Sequence, residues 1–286
     1  MDTVHGFLLE DLDIRGALVQ LGPSWAAMAG RRNYAGPVRD LLGELAAVTA
    51  LIGSNLKTPG RLSFQLQGHG PVSMLVMDCN EQLRLRGMAK SELAADAETN
   101  VTSVGDLLGD GRLVLTLQPQ TAQTPYQSVV PITGSTLAAI FEHYLQQSEQ
   151  QPARLWLAAN ADTACGLFLQ KLPGADGRDA DGWNRIEQLA ATVHPEELAL
   201  PPETLLTRLF GEESVRLFAS RPATWYCPRD EEKVRNMLLS LGREEVESML
   251  ADAEMIAIED EICGHEYRFG PEIVDELFPP DGRLLH

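Results

Sequence analysis

The chain has few cysteines, and none is paired at short spacing. Cys79, Cys165, Cys227 and Cys263 lie far apart, with no CxC and no CxxC among them. That excludes an ordinary zinc knuckle and a thioredoxin-like motif. The GxSxG elbow, the Walker A loop, HExxH and a GxGxxG after a strand are also missing. Hydrolase, ATP-driven, zincin and dinucleotide chemistries therefore have no visible basis, and no enzymatic activity is expected. No apolar run reaches the roughly 18 residues that span a bilayer. Residues 1–10 lack a basic n-region and a long apolar stretch, so a secretory signal is not expected and a cytoplasmic location is. Positive charge is scarce, at 23 Lys and Arg against 41 Asp and Glu, for a net charge of −18. Phosphate backbones and anionic membranes would repel such a surface, so neither nucleic acid nor membrane is expected as a partner. The six histidines do not cluster at ligand spacing.

What is present reads as mixed α+β. The stretches 15–20, 61–67, 71–77, 83–88, 112–117 and 128–130 have strand character, as do 154–157 and 166–171. Leu41, Leu42, Leu45, Val48 and Ile52 form a helical stripe within 38–52, and Leu137, Ile140, Phe141 and Tyr144 form another within 136–146. A Gly/Asp-rich break, PGADGRDADGW, occupies 173–183 and closes a first domain over residues 1–184. Two short amphipathic helices are expected over 185–222. One has Ile186, Leu189, Ala190 and Val193 on a face. The other, opened by Pro201 and Pro202, carries Leu205, Leu206, Leu209 and Phe210.

Residues 223–286 read as a small lobe with 16 acidic and 6 basic residues, which puts more than half the net charge in under a quarter of the length. A short strand at 224–226, helices at 230–241 and 244–251, and a hairpin of 255–258 with 266–269 are expected. Val234, Met237, Leu238, Leu241, Val246, Met249, Leu250, Ile256, Ile258, Tyr267 and Phe269 are expected to face inward. Cys227 and Cys263 stand 36 positions apart, each at the tip of a strand. A zinc ribbon would place its two knuckles there, but each knuckle offers one cysteine where tetrahedral zinc wants two donors. Asp260 or His265 are the available substitute ligands. The pair thus reads either as a depleted metal site or as two ordinary thiols in an apolar lobe. Cys79 and Cys165, with no base nearby, read as structural thiols.

The blocks FQLQGHGPVSMLVMD (64–78), LRLRGMA (83–89), LLSLGREEVESMLAD (238–252) and MIAIEDEICGHEYRF (255–269) resemble the 33 kDa chaperonin family, the redox-regulated heat-shock holdases of bacteria. They occur in the family's order and spacing, and the resemblance covers nearly the whole chain. It implies a substrate-binding and dimerising sheet-and-helix domain (1–184), a helical linker (185–222) and a small zinc-ribbon-like redox-switch domain (223–286). The implied partners are unfolded or aggregation-prone client proteins, with a homodimer as a further possibility. Clients are expected on the linker stripe of Leu205, Leu206, Leu209 and Phe210. The family site is a CxC followed by a CxxC, whose four thiolates hold zinc until oxidation forms disulfides and unfolds the linker. Cys227 and Cys263 match the second cysteine of each motif, and the first positions hold Trp225 and Asp260. The motif is half missing. No cofactor is expected, zinc being possible only through an incomplete site. The expected activity is ATP-independent holding with cysteine and zinc control weakened or lost. The alternative is a thiol–disulfide oxidoreductase or redox sensor using Cys227 and Cys263 as a redox pair.

Overall fold

The computed structural model describes residues 1–56, 59–96, 103–121 and 124–279. Strands β1 (Thr3–Leu9) and β2 (Ile14–Leu21) lead into helices α1 (Pro23–Ala29) and α2 (Gly36–Ser54). A meander of β3 (Gly60–Gly68), β4 (Val72–Asn80) and β5 (Arg84–Ser91) is followed by α3 (Val104–Leu108), β6 (Gly111–Pro119), β7 (Tyr126–Pro131) and α4 (Leu137–Glu149). Next come β8 (Ala153–Ala159), β9 (Ala164–Lys171), α5 (Ala175–Arg178), α6 (Gly182–Ala190), a 3-10 turn (Pro195–Ala199) and α7 (Pro202–Phe210). Three short strands, β10 (Val215–Leu217), β11 (Arg221–Pro222) and β12 (Thr224–Trp225), precede α8 (Glu231–Leu241), α9 (Arg243–Asp252), β13 (Ile256–Asp260), β14 (His265–Phe269) and α10 (Glu272–Leu277). The mixed α+β class expected from the sequence is the class observed. The chain falls into two compact units, one over Met1–Tyr226 and one from Cys227 onward.

The first unit is built around α2. This helix is apolar on nearly all sides, burying Leu41, Leu42, Leu45, Ala46, Ala47, Val48, Ala50 and Leu51, and such a helix must be enclosed. Two sheets enclose it. One runs β10-β1-β2-β9-β8, with β11 also pairing β1, and is antiparallel throughout. The other runs β12-β5-β4-β3-β6-β7, with β12 parallel to β5 and the rest antiparallel. Close approach fixes Gly43, where an added Cβ would meet Ala159 at 2.5 Å and the Trp25 ring at 2.9 Å. Within the second sheet Asp78 is nearly fully buried and is held by Arg61 and by Arg86 Nε at 3.1 Å. That is the pairing a buried carboxylate requires.

The first sheet is covered on both faces, which explains why β9 reads as a continuous apolar run without alternation. One face carries Val4, Ala17, Val19 and Phe168 toward α2 and α4. The other carries Phe7, Leu9, Ile14, Leu18, Leu167 and Leu169 into a separate core completed by Ile186, Ala190, Leu198, Leu205, Leu206, Leu209 and Phe210. Strand β1 had no strand-like alternation in the sequence, because Gly6 and His5 interrupt it. The stretch expected at 128–130 is the longer β7, and the strand expected at 224–226 is β12, whose partner is β5. Leu189, expected inward, is exposed on α6.

The second unit packs α8, α9 and α10 against the β13–β14 hairpin. Its core is Val234, Leu238, Val246, Ile256, Tyr267 and Phe269, joined by Ile273 and Val274 of α10 and flanked by Met249, Leu250 and Ile258. Met237 and Leu241, expected inside, are exposed. The apolar stripe of α8 is wider than the surface the hairpin offers it. Helix α10, not expected from the sequence, adds Ile273 and Val274 to the core. Residues 280–286, the end of the expected lobe, lie outside the described residues, as does His286.

Candidate functional site

Two features stand out, one in each unit. The first is the layer formed by α6, the 3-10 turn and α7 on the outer face of the first sheet. Pro201 and Pro202 start α7, and its apolar residues recur at the spacing that gives one helical face. Leu205, Leu206, Leu209 and Phe210 are all buried, at 1%, 3%, 7% and 1% exposure. The Phe210 ring lies 6.2 Å from that of Phe7 on β1, at a tilted angle. Polar contacts pin the same layer. Gln20 Nε2 donates to the carbonyls of Leu198 at 2.8 Å and Leu200 at 2.5 Å. Arg154 Nε donates to Glu187 at 2.7 Å, and Arg185 bridges Asp179 at 3.0 Å and Glu213 at 2.9 Å. The four residues picked out from the sequence are thus together on one docked helix nine residues long.

The second feature is Cys227 with Cys263, which form a disulfide with Cα atoms 5.8 Å apart. That separation lies in the ordinary range for such a bridge. Cys263 sits in the turn of the β13–β14 hairpin, where Gly264 adopts a φ of 64°. Asp260 Oδ1 accepts the backbone N–H of Ile262 at 2.9 Å and of Cys263 at 3.1 Å, and so shapes the turn. His265 Nε2 donates to the Cys227 carbonyl at 2.8 Å. Arg229 stacks 4.8 Å above the Tyr267 ring, and the Tyr267 hydroxyl accepts the Asp230 N–H at 2.8 Å. The sequence therefore placed Cys227, Asp260, Cys263 and His265 in one neighbourhood, and the structure brings them together there. Trp225 belongs to β12 in the first unit, where its ring packs under Arg31 at 5.3 Å and Tyr226 N donates to Leu85 O at 2.9 Å. Among the described residues no group of three or more His, Cys, Asp or Glu is placed to hold a metal.

The other thiols are inert by position. Burial pushes Cys79 up to about 12 and Cys165 up to about 11, which leaves almost no thiolate at neutral pH. Neither belongs to a site. Glu44 and His5 are among the ionisable groups that escaped the sequence reading. Burial, aided by repulsion from Asp40, raises Glu44 on α2 to about 7. Burial also lowers His5 on β1, opposed by Glu203 and reinforced by the N-terminal amine. Neither has a motif around it, and only the packed fold reveals them.

Residues 2–270 match the profile of the Hsp33 protein family. The chain belongs to the Hsp33 family. The 33 kDa chaperonin of Methylobacillus flagellatus is 40% identical over 280 residues, covering 97% of this chain and 94% of that one. The 33 kDa chaperonin of Vibrio cholerae is 37% identical over 295 residues, covering all of this chain and 99% of that one. Among solved structures, the 33 kDa chaperonin (heat shock protein 33 homolog) of Thermotoga maritima superposes with a TM-score of 0.82 at 22% identity. The match covers 97% of this chain and 98% of that one. At that identity the superposition speaks to the fold alone, and the fold it speaks to is the Hsp33 fold. Among the described residues no helix is long and apolar enough to cross a membrane.

Proposed function

We propose that this Hsp33-family chain is an ATP-independent holding chaperone of the cytoplasm. In this reading it captures unfolding proteins on apolar surface that is covered at rest. The observation that carries it is α7. A nine-residue helix is too short to be stable alone, so its fold depends on docking Leu205, Leu206, Leu209 and Phe210 on the sheet. A segment of low local stability that hides a compact apolar stripe is suited to being released by stress. The division of labour is then a client-binding domain over 1–184 that is able to dimerise, a linker over 185–222 and a switch-like lobe over 223–286. Family membership supports this reading over the thiol–disulfide oxidoreductase alternative.

Redox control is weakened in the same reading. Zinc does not fit the donor set. Two sulfurs, bonded to each other, stand where four would be needed, the Asp260 carboxylate is engaged by two backbone N–H groups, and His265 Nε2 is spent on a carbonyl. Heat, acting on the marginal docking of the linker helices, takes over as the trigger. The test is light scattering of a heat-denatured client with stoichiometric protein and no ATP. Suppressed aggregation is expected. No suppression under both heat and peroxide overturns the reading.

A further inference from the structure

His5, half-buried, lies on the face of β1 that packs against the linker layer. His5 pairs directly with Leu18 across β1 and β2, and alternation puts it on the same face as Phe7 and Leu9. Leu18, Phe7 and Leu9 all belong to the core that α7 completes. Among the described residues, His5 Nδ1 is the only buried side-chain nitrogen or oxygen without a hydrogen-bond partner. A neutral imidazole tolerates this by carrying its proton on Nε2 and leaving a bare lone pair at Nδ1. An imidazolium cannot, because it must put a second N–H at Nδ1 where nothing accepts it.

We propose that His5 is an acid-sensitive catch that keeps α7 docked while neutral and releases it when protonated. Lifting α7 gives the new N–H access to water, so the charged ring favours the undocked helix. Few charges oppose this. Glu203, in the first turn of α7, attracts the imidazolium, but it is solvent-exposed and its pull is screened. The N-terminal amine repels it. Several other charges on the neighbouring elements are engaged elsewhere. Arg208 pairs with Glu197 at 3.0 Å, Arg216 pairs with Glu10, Arg15 bonds Gln170 at 2.7 Å, and Arg221 donates to the carbonyls of Ser54 and Glu81. A cleft of 220 Å³, lined by Glu203, Leu206, Phe210, Val215 and Leu217, lies between α7 and β10.

The sign follows from linkage. The docked state lowers the histidine pKa, in agreement with the orphaned nitrogen, so the proton binds better when α7 is free. Docking is therefore at full strength above the ordinary histidine pKa of about 6.5 and weakens as pH falls below it. The consequence for client capture rests on the holdase reading, but the release of α7 does not.

Amide hydrogen exchange on the full chain at about pH 7.5 and about pH 5.5, corrected for intrinsic rates, reads the catch directly. Amides 205–210 of the wild type are expected to lose protection several-fold at the lower pH, while those of α2 do not. His5→Gln is expected to remove that pH dependence. Glu203→Gln, which deletes the one attraction for the charged ring, is expected to enlarge it. Equal pH dependence in wild type and His5→Gln, or unchanged protection of α7 in the wild type, overturns the proposal. Should His5→Gln not fold, the His5 ring titration followed by NMR in the wild type decides. A midpoint below that of an ordinary histidine supports the catch, and one at or above it overturns the catch. Release of α7 at low pH without better suppression of client aggregation supports the catch and counts against the holdase reading.

Discussion

Glu44 shows what burial does to a single residue. It projects from the helix that both sheets enclose, with Asp40 one turn before it, and its carboxyl is raised to about 7. An unfolded chain would give it up near its ordinary value of about 4.3. The folded state therefore holds the proton more tightly. Its contribution to stability is complete below the unfolded pKa, declines as pH rises, and is lost once pH passes about 7. Glu44→Gln imitates the protonated form. It should leave stability unchanged at about pH 4 and raise it by about 1–2 kcal/mol at about pH 8, the lower part of what the shift allows for a side chain still touching solvent. Urea unfolding at the two pH values checks this, and equal effects at both would contradict it. Nothing in the sequence distinguished Glu44 from the other acidic residues, because its surroundings include segments distant in sequence, among them Val104 and Leu107 of α3 and Leu137 of α4. His5 escaped for the same reason. Cys227 and Cys263 were legible as a candidate pair from their place at strand tips, but the 5.8 Å between their Cα atoms required the fold.

Among the elements, those with a clean period were legible and those without were not. The α2 stripe, the β3–β4–β5 meander and the apolar face of α7 all came from periodicity, and the structure places them within a few residues of the expected bounds. Strand β1 was missed because its Gly6 and His5 break the alternation, and α10 because six residues give too little pattern. On α8 the pattern overreached. Apolar residues at 234, 237, 238 and 241 suggested one inward face, yet Met237 and Leu241 are exposed, since how much of a stripe is covered depends on the partner surface. For α7 the coverage is complete, and that makes its docking testable. Burying Leu209 and Phe210 is worth roughly 1.5–3 kcal/mol each. Leu209→Ser with Phe210→Ser removes most of what holds so short a helix. The double variant should show much faster proteolytic cleavage within 200–212 and higher basal suppression of client aggregation at a temperature where the wild type is quiet. Unchanged cleavage in that segment would contradict the docked-helix account.

At the scale of the whole chain, the second unit has a small core and a dense negative charge. Among the described residues, eight buried apolar side chains form the core of a lobe of about 60 residues, a size at which a staple is commonly needed. The Cys227–Cys263 bridge is such a staple, closing a loop of 36 positions. Loops of that length are stabilised by about 2–4 kcal/mol when bridged. In a four-thiolate zinc site the sign is reversed. There the metal contributes on the order of 10–16 kcal/mol, and oxidation gives it up. With two sulfurs the lobe gains from oxidation, so peroxide should tighten it and should not act as the main activating signal. The decisive comparison is the wild type against Cys227→Ser with Cys263→Ser, each with and without peroxide, at a fixed temperature below unfolding. The double variant should lose stability in the lobe, seen as faster hydrogen exchange in α8 and β14, and chaperone activity should respond to peroxide alike in the two proteins or in neither. Strong activation of the wild type by peroxide, absent from the double variant, would show that the remaining pair is a working switch and that the staple account has the sign wrong.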